Sequence, residues 1–259
     1  MLGRRTMIGG AIATAAAGRP GAKVPTLGMI LPAQGQGVPE ALAMYPRGVR
    51  FISTVAGLQS MTREGYEGVV DRIVPAACEL AAQGAEAVAL MGTSLSFFNG
   101  AAFNKRLRER MAEAAGVPAM TMTDAVIDGL RRVRARRIIA ATAYGDEVNG
   151  QLRAYLEAAE FEVALVRGLG ITSLGGGALD AVTPAMLVEF GAATAAAAPG
   201  ADALLVSCGG LRTLEVVAPL EQRSGLPVVS SFPHAVEAAV RMLGLDARLA
   251  GHGTLLARG

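Results

Sequence analysis

The chain has 259 residues, of which 52% are hydrophobic and 18% are charged. These values exclude a disordered or fibrous protein, and the length is sufficient to bury a large core. The chain has 24 Lys and Arg residues against 22 Asp and Glu residues, and four of the basic residues precede Pro25. The rest of the chain is therefore slightly acidic, which does not indicate nucleic-acid binding. Two cysteines and two histidines are too few for a disulfide framework, and no metal site is expected.

The first 25 residues differ in character from the rest. A basic pair, Arg4-Arg5, precedes a short, weakly apolar run that ends at Ala17. This pattern is typical of a twin-arginine export signal and predicts a periplasmic mature protein. A membrane span needs roughly 18 or more strongly apolar residues, so no membrane association of the mature form is expected. The alternative is an unstructured start on a cytoplasmic protein, and in both cases residues 1–25 lie outside the predicted fold.

Beyond this leader, short apolar runs alternate with longer amphipathic ones. Strands are predicted over 24–31, 85–91, 118–122, 137–142, 161–167, 203–207 and 227–230. Helices are predicted over 64–83, 101–115, 123–133, 145–160, 183–198 and 234–243. Strands that alternate with helices along the chain are typical of parallel sheets covered on both faces, so the sequence predicts an α/β fold.

An internal repeat divides this body into two similar parts. Residues 81–94 (AAQGAEAVALMGTS) align without gaps on residues 197–210 (AAPGADALLVSCGG), and a Gly-hydrophobic-Pro segment follows each copy. We therefore predict two parallel-sheet α/β halves related by a pseudo-two-fold axis. The first half comprises residues 26–136 with 233–259, and the second comprises residues 137–232. Chance similarity in an alanine-rich sequence is the alternative.

The repeat places two loops opposite one another. Ligands of open parallel sheets bind beyond the carboxyl ends of the strands, so the loops at 91–94 and 207–210 are expected to face one cleft. Gly92 is then the counterpart of Cys208, and only one wall carries a thiol. The glycines after Cys208 leave backbone N–H groups free to bind an anion, with which the thiol can exchange a proton. A structural buried cysteine is the alternative.

Three hydroxyl side chains also stand at predicted strand ends: Thr93, Ser94 and Tyr144. Thr93 and Ser94 can equally be helix N-caps, a role compatible with binding an anion at the same helix terminus. The Tyr144 phenol can donate to a carboxylate, with half-buried packing as the alternative. Of the remaining reactive residues, we interpret Cys78 as a core residue and His234 as a surface or capping residue.

Five segments carry a resemblance to a known family. They are LGMILP at 27–32, LMGTSLSF at 90–97, ATAY at 141–144, LGIT at 169–172 and SCGGL at 207–211. Together they resemble the arylmalonate decarboxylase family of the aspartate/glutamate racemase superfamily, over about residues 26–241. The resemblance implies the two-halved, racemase-like α/β fold, which agrees with the repeat.

The resemblance also implies a reaction. Hydroxyls of Thr93, Ser94 and Tyr144 and backbone N–H groups around Gly209 would hold one carboxylate of a disubstituted α-arylmalonate while the other leaves as CO₂. Donors aimed at the resulting enediolate stabilise its charge. Cys208 would then protonate the planar carbon on one face, without any metal or organic cofactor. Nearby N–H groups lower a thiol pKa and the enediolate raises it, so the protonation state of Cys208 stays open at this point.

Two other functions compete with this one. Racemases and maleate isomerase-like cis-trans isomerases of the superfamily carry cysteines on both walls, whereas Gly92 occupies one of those places here. A carboxylate-binding protein without turnover is the third hypothesis. In each case the expected partner is a small carboxylate, a dicarboxylate for the decarboxylase.

The departing carboxylate is expected to face an apolar wall that solvates it poorly. By resemblance the wall is formed by Pro32, Leu58, Met61, Tyr66, Leu95 and Leu174. The chain departs from the family at Ala33, where a second proline is usual, at Met61, where valine is usual, and in the glycine-rich stretch 175–177. These departures predict a changed preference for the side groups of the substrate rather than a changed reaction.

Overall fold

The protein is described by a computed structural model over residues 23–34 and 37–259. The strands are β1 (Thr26–Leu31), β2 (Arg50–Val55), β3 (Ala87–Leu90), β4 (Ala119–Thr121), β5 (Arg137–Thr142), β6 (Glu162–Gly168), β7 (Ala203–Ser207) and β8 (Val228–Ser230). The helices are α1 (Val38–Met44), α2 (Arg63–Glu67), α3 (Ile73–Ala82), α4 (Thr93–Phe97), α5 (Gly100–Ala115), α6 (Met122–Arg132), α7 (Asp146–Ala158), α8 (Pro184–Ala196), α9 (Leu214–Ser224) and α10 (Ser231–Met242). The twin-arginine motif lies outside the described residues.

The strands form two parallel four-stranded sheets with the same internal order. The first sheet has the order β2-β1-β3-β4 and the second β6-β5-β7-β8. Leu27 of β1 is in register with Ala87 of β3, and Ile138 of β5 is in register with Ala203 of β7. The prediction of two similar parallel α/β halves is therefore confirmed.

The central strands are buried along their whole length. Each residue of β1, β3 and β7 is buried, as expected where helices cover both faces of a parallel sheet. The fit is close: a Cβ on Gly28 of β1 would stand 2.9 Å from Cβ of Leu80 in α3. The carboxyl ends of these strands are consequently held in fixed positions, and the loops that follow them start from a rigid base.

Helix α10 connects the second sheet back to the first. It follows β8 directly but packs mainly against α6 and β3. Its residues Phe232 and Val236 lie in the same apolar cluster as Leu27 and Met29 of β1. The last helix therefore completes the core of the first half.

The prediction of one continuous helix over 64–83 is wrong. The segment forms α2, a 3₁₀ turn at Val70–Arg72, and then α3. Pro75 lies in the first turn of α3, where its missing N–H costs nothing, whereas a continuous helix would need that donor. Among the described residues, no helix combines the length and apolar character needed to cross a membrane.

The sequence prediction also lacked α1, β2, α4 and α9. Helices α1 and α4 are short, at 7 and 5 residues, and Pro219 interrupts the helical pattern of α9. The edge strand β2 mixes polar and apolar residues, and Arg50, Ser53 and Val55 are exposed. Short or proline-containing segments give weak periodicity, and tertiary packing stabilises them instead.

Candidate active site

The two predicted strand-end loops are in contact. A Cβ on Gly209 would lie 2.7 Å from the carbonyl oxygen of Met91, and a Cβ on Gly92 would lie 2.7 Å from Cγ of Pro32. Both values are shorter than real Cβ contacts, so each position has room for glycine only unless its neighbours move. The loop that carries Cys208 therefore packs directly on the loop that carries Gly92.

A chain of buried hydroxyls crosses from one half to the other. The Thr93 hydroxyl donates to Oγ of Ser231 at 2.9 Å, and Ser231 donates to Oγ of Ser207 at 3.4 Å. Ser207 in turn shares a hydrogen bond of 3.2 Å with the Tyr144 phenol. The sequence-predicted Thr93 and Tyr144 are thus brought into one polar network. The sequence analysis did not identify Ser207 and Ser231 as site residues. Ser207 could have been identified, because it directly precedes Cys208 at the end of a predicted strand.

The Cys208 thiol is nearly closed off from solvent, with 5% of the residue exposed. Burial raises its pKa to about 11, and hydrogen bonds from the N–H groups of Gly210 and Leu211 oppose this only in part. The sulfur is therefore a protonated thiol near neutral pH. This answers the question that the sequence left open: desolvation outweighs the backbone donors.

Two buried phenols interact electrostatically with this sulfur. Burial is the main cause that raises the pKa of both Tyr66 and Tyr144, and the negative charge of an ionised Cys208 would raise it further. The Tyr66 hydroxyl is fully buried and has no hydrogen-bond partner among the described residues. The neighbouring Ser94 hydroxyl lowers the pKa of Tyr66, against the larger effect of burial. Tyr66 therefore brings a hydroxyl without a partner in the described part of the molecule to the wall that the resemblance predicts to be apolar.

The other residues of the predicted wall are buried or half-buried. Leu58, Met61 and Leu95 lie in one apolar cluster with Cys208, and Pro32 is buried against Gly92. Leu174 is half-buried and packs on this cluster.

Backbone hydrogen bonds fasten this wall across the two halves. The N–H of Leu174 donates to the carbonyl of Gln59 at 3.0 Å, and that of Met61 donates to Thr172 at 2.6 Å. The glycine-rich stretch Gly175–Gly177 follows as a 3₁₀ turn with positive φ at Gly176. The segment that contains Leu174 and the glycine-rich stretch, which departs from the family pattern, is thus attached to the first half by backbone hydrogen bonds.

Two residues that we set aside are placed differently from expectation. Cys78 is half-buried on α3 rather than in the core. His234 is buried, with 1% exposed, rather than at the surface, because α10 returns to the first half. Its Nδ1 accepts from the N–H of Ser230, the N-cap of α10, at 3.0 Å, and burial lowers the pKa of His234 to about 4. Within the described ranges, no three His, Cys, Asp or Glu side chains are grouped as metal ligands.

A cavity of about 250 Å³ lies behind the Cys208 loop. The backbone of Gly209 and Gly210 forms one side of it, and Glu40 from α1 and Glu215 from α9 line another. The loop is therefore supported by the first half on one side and borders open space on the other.

Comparison with known proteins identifies the family. Residues 27–256 match the family model described as arylmalonate decarboxylase. The arylmalonate decarboxylase of Bordetella bronchiseptica is 45% identical over 236 residues, which are 90% of this chain and 97% of that relative. A liganded arylmalonate decarboxylase with a glycine-to-cysteine and a cysteine-to-serine substitution has a TM-score of 0.86 at 43% identity, covering 91% of this chain and 100% of that one.

The fold itself is shared more widely. The maleate isomerase Iso from Pseudomonas putida S16 has a TM-score of 0.82 at 22% identity, covering 91% of this chain and 99% of that one. At this identity the likeness concerns the fold alone. On the family match and the 45% identical relative, the chain belongs to the arylmalonate decarboxylase family.

Proposed function

We propose that the protein decarboxylates α-aryl, disubstituted malonates to 2-arylalkanoates without a cofactor, with Cys208 as the proton donor. The observation that carries this proposal is the asymmetry of the two loops. A protonated thiol stands on one of them, and on the other stands Gly92, which has no side chain and where a Cβ fits only if Pro32 moves. One face of a planar intermediate therefore has a proton donor, and the opposite face has none.

The retained carboxylate is held by hydroxyl and backbone donors. Thr93 and Tyr144 belong to one buried hydroxyl chain, and Ser94 and the N–H of Gly209 lie on the two loops in contact. These groups are neutral and their side chains are buried before the substrate enters, and the Thr93 hydroxyl must turn its proton from Ser231 to the carboxylate. Each donor aimed at charge that develops in the transition state contributes on the order of 3 kcal/mol. The site therefore favours the enediolate over the starting carboxylate.

In this proposal the departing carboxylate lies against Leu58, Met61 and Leu95, which belong to the apolar cluster of Cys208 and offer it no hydrogen-bond donor. An ionised group in such surroundings is poorly solvated, and its loss as neutral CO₂ relieves that cost. The electron pair of the broken C–C bond moves onto the α-carbon and is delocalised into the aryl group and the retained carboxylate.

Proton transfer completes the reaction. The S–H proton of Cys208 moves to the α-carbon, and the resulting thiolate regains a proton from water before the next turnover. Because burial raises the pKa of Cys208 to about 11, the reprotonated thiol is the favoured form near neutral pH. The net reaction consumes one malonate dianion and one proton and releases CO₂ and one monocarboxylate.

The direct test is CO₂ release from phenylmalonate and methylphenylmalonate, with EDTA present and no cofactor added. Wild-type protein is expected to release CO₂, and Cys208→Ala to lose that activity. Full activity in Cys208→Ser would contradict the role of the thiol. Tight carboxylate binding without CO₂ release would instead support the binding-protein hypothesis, and α-deuterium exchange without CO₂ release would support a racemase.

Export through the twin-arginine leader stays a prediction, since its residues lie outside the described part of the chain. Mass spectrometry of the mature N-terminus, after expression in a host with a twin-arginine translocase, tests it. A periplasmic product that lacks Arg4 and Arg5 supports export, and an intact start in the cytoplasm contradicts it.

A further inference from the structure

A carboxylate from the first half binds the backbone just after the Cys208 loop. Oε1 of Glu40, on α1, accepts hydrogen bonds from the N–H of Thr213 at 2.9 Å and from the N–H of Leu214. Thr213 is the N-cap of α9, and its side chain makes no cap hydrogen bond within the described residues. Its hydroxyl accepts from Ser230 at 2.6 Å instead. Glu40 therefore performs the capping of α9 from a position 173 residues away in sequence.

Glu40 is itself fixed by the first half. Its neighbours Ala41 and Met44 are buried in the apolar cluster that contains Leu27 and Met29 of β1. The Glu40 carboxylate is thus held by the first half, while Thr213 follows a strand of the second sheet. The hydrogen bonds between Glu40 and the backbone at Thr213 therefore fix the distance between the two halves here.

The Cys208 loop depends on this attachment. Only residues 209–212 separate Cys208 from Thr213, and the N–H of Leu211 donates to the carbonyl of Cys208 at a long 3.3 Å. The cavity of about 250 Å³ lies behind Gly209 and Gly210, so little packing supports the turn from that side. A change of position at Thr213 is therefore passed directly to the thiol and to the Gly209 N–H.

We propose that Glu40 is a positioning residue for the decarboxylation: by binding the N–H groups of Thr213 and Leu214, it holds the turn that carries the Cys208 thiol and the Gly209 donor. The catalytic part of this inference rests on the proposed function; the structural part does not. Glu40 acts through the backbone and needs no contact with the substrate.

The chemistry of the contact allows a selective test. Both hydrogen bonds go to one oxygen, Oε1, so the carbonyl oxygen of a glutamine can accept both. Burial raises the pKa of Glu40 to about 7; the N–H donors and Arg212 lower it, and Glu215 raises it further. Glu40→Gln therefore keeps the acceptor and removes the charge, whereas Glu40→Ala removes both.

Asp202 provides a matched control. Its carboxylate also accepts from two consecutive backbone N–H groups, those of Arg136 at 2.9 Å and Arg137 at 2.8 Å. Asp202 precedes β7, whereas Cys208 follows that strand. Asp202 therefore lies at the opposite end of the strand from Cys208. Asp202→Ala removes the same number of carboxylate–backbone hydrogen bonds, at an exposed place, without touching the loop.

Hydrogen–deuterium exchange tests the structural part without any turnover. Glu40→Ala is expected to accelerate exchange in residues 209–214 at least about tenfold, and Glu40→Gln to exchange like wild type there. Asp202→Ala is expected to change exchange around 136–137 only. Unchanged exchange over 209–214 in a folded Glu40→Ala variant would overturn the proposal.

Kinetics on methylphenylmalonate test the catalytic part. Glu40→Ala is expected to lower kcat by about ten- to a hundredfold, as small displacements of reacting groups do, with a smaller change in KM. The enantiomeric excess should fall, because water then competes with a displaced thiol, and a purely structural loss of stability does not change it. Glu40→Gln should restore kcat and enantiomeric excess, and Asp202→Ala should keep both.

Two kinetic results would overturn the proposal. One is a Glu40→Ala variant with wild-type kcat and enantiomeric excess, and the other is a Glu40→Gln variant as impaired as Glu40→Ala. If wild-type protein releases no CO₂, the proposed function fails, and the exchange experiment still decides whether Glu40 orders the turn.

Discussion

Gly209 lies so close to the Met91 carbonyl that a Cβ would stand 2.7 Å from that oxygen, with Sδ of Met122 at 3.1 Å on another side. The contact joins the loop of the thiol to the loop of the hydroxyls, and it exists only because residue 209 has no side chain. The relative placement of donor and substrate therefore depends on a missing methyl group.

The first prediction concerns this contact. Gly209→Ala should push the two loops apart, lower kcat by about a hundredfold and reduce the free energy of unfolding by about 1–3 kcal/mol. Gly150 provides the control: in the described structure nothing lies within 4 Å of a Cβ added there, and it is exposed within α7. Gly150→Ala should leave kcat unchanged and the stability equal or higher. Activity assays measure kcat, and urea unfolding measures the stability. A Gly209→Ala variant with wild-type activity and stability would contradict the prediction that this contact positions the two loops.

The second prediction moves the proton donor to the other wall. The double variant Gly92→Cys with Cys208→Ser should yield mainly the opposite enantiomer from methylphenylmalonate. Its rate should be lower, because the new Cβ lies 2.7 Å from Cγ of Pro32 and that ring must shift. Gly92→Cys alone has a thiol on each wall and should racemise an enantiopure 2-arylpropionate. Chiral chromatography measures both, and an unchanged product configuration in the double variant would contradict the two-wall geometry.

The third prediction follows from the pKa of Cys208, which burial raises to about 11. Alkylating reagents attack the thiolate, and at pH 7 only about one Cys208 in ten thousand would be ionised. Iodoacetamide should therefore modify the half-buried Cys78 first and leave decarboxylation intact. Peptide mass spectrometry over time measures the order. Rapid loss of activity at pH 7, with Cys208 labelled ahead of Cys78, would show that the Cys208 thiol is ionised or accessible to the reagent.

The fourth prediction concerns stability between pH 5 and 6.5, where two buried groups oppose each other. Glu40 has a pKa of about 7 in the folded state against 4.5, so the folded state binds more protons and the free energy of unfolding falls as pH rises through this window. His234 has a pKa of about 4 against 6.5, so the unfolded state binds more protons and the free energy of unfolding rises. Each of these two groups changes the free energy of unfolding by on the order of 3 kcal/mol between its folded and unfolded pKa values.

The two slopes therefore nearly cancel in wild-type protein, and Glu40→Gln should reveal the rising contribution of His234 alone. Urea unfolding at pH 5, 5.8 and 6.5 measures the slopes. Asp202 has a lowered pKa and titrates only at lower pH, so Asp202→Asn should give a profile parallel to wild type. A parallel profile in Glu40→Gln as well would show that Glu40 is not protonated in the folded state over this range.

Much of the fold could be predicted because it is repeated. The alignment of 81–94 on 197–210 indicated equivalent strands, and β3 and β7 hold equivalent places in the two sheets. Single short elements such as α1 could not be predicted, because 7 residues, about two turns, with Pro39 near the start give no periodic signal.

The reactive residues could be predicted from local pattern, but their surroundings could not. Cys208, Thr93 and Ser94 follow strands and stand beside glycines, which sequence shows directly. Ser231 reaches Thr93 only because α10 returns to the first half, and Glu40 reaches Thr213 across 173 residues. The high pKa of the thiol likewise arises from burial, which is a property of the packed molecule.

The return of α10 to the first sheet also bears on how the chain folds as it is made. The apolar cluster around Leu27 and Met29 includes Phe232, Val236 and Val240. The first sheet is therefore incompletely covered until the ribosome has synthesised α10. A nascent chain that ends after β8 would expose this surface to chaperones and proteases, so the two sheets mature together rather than in sequence.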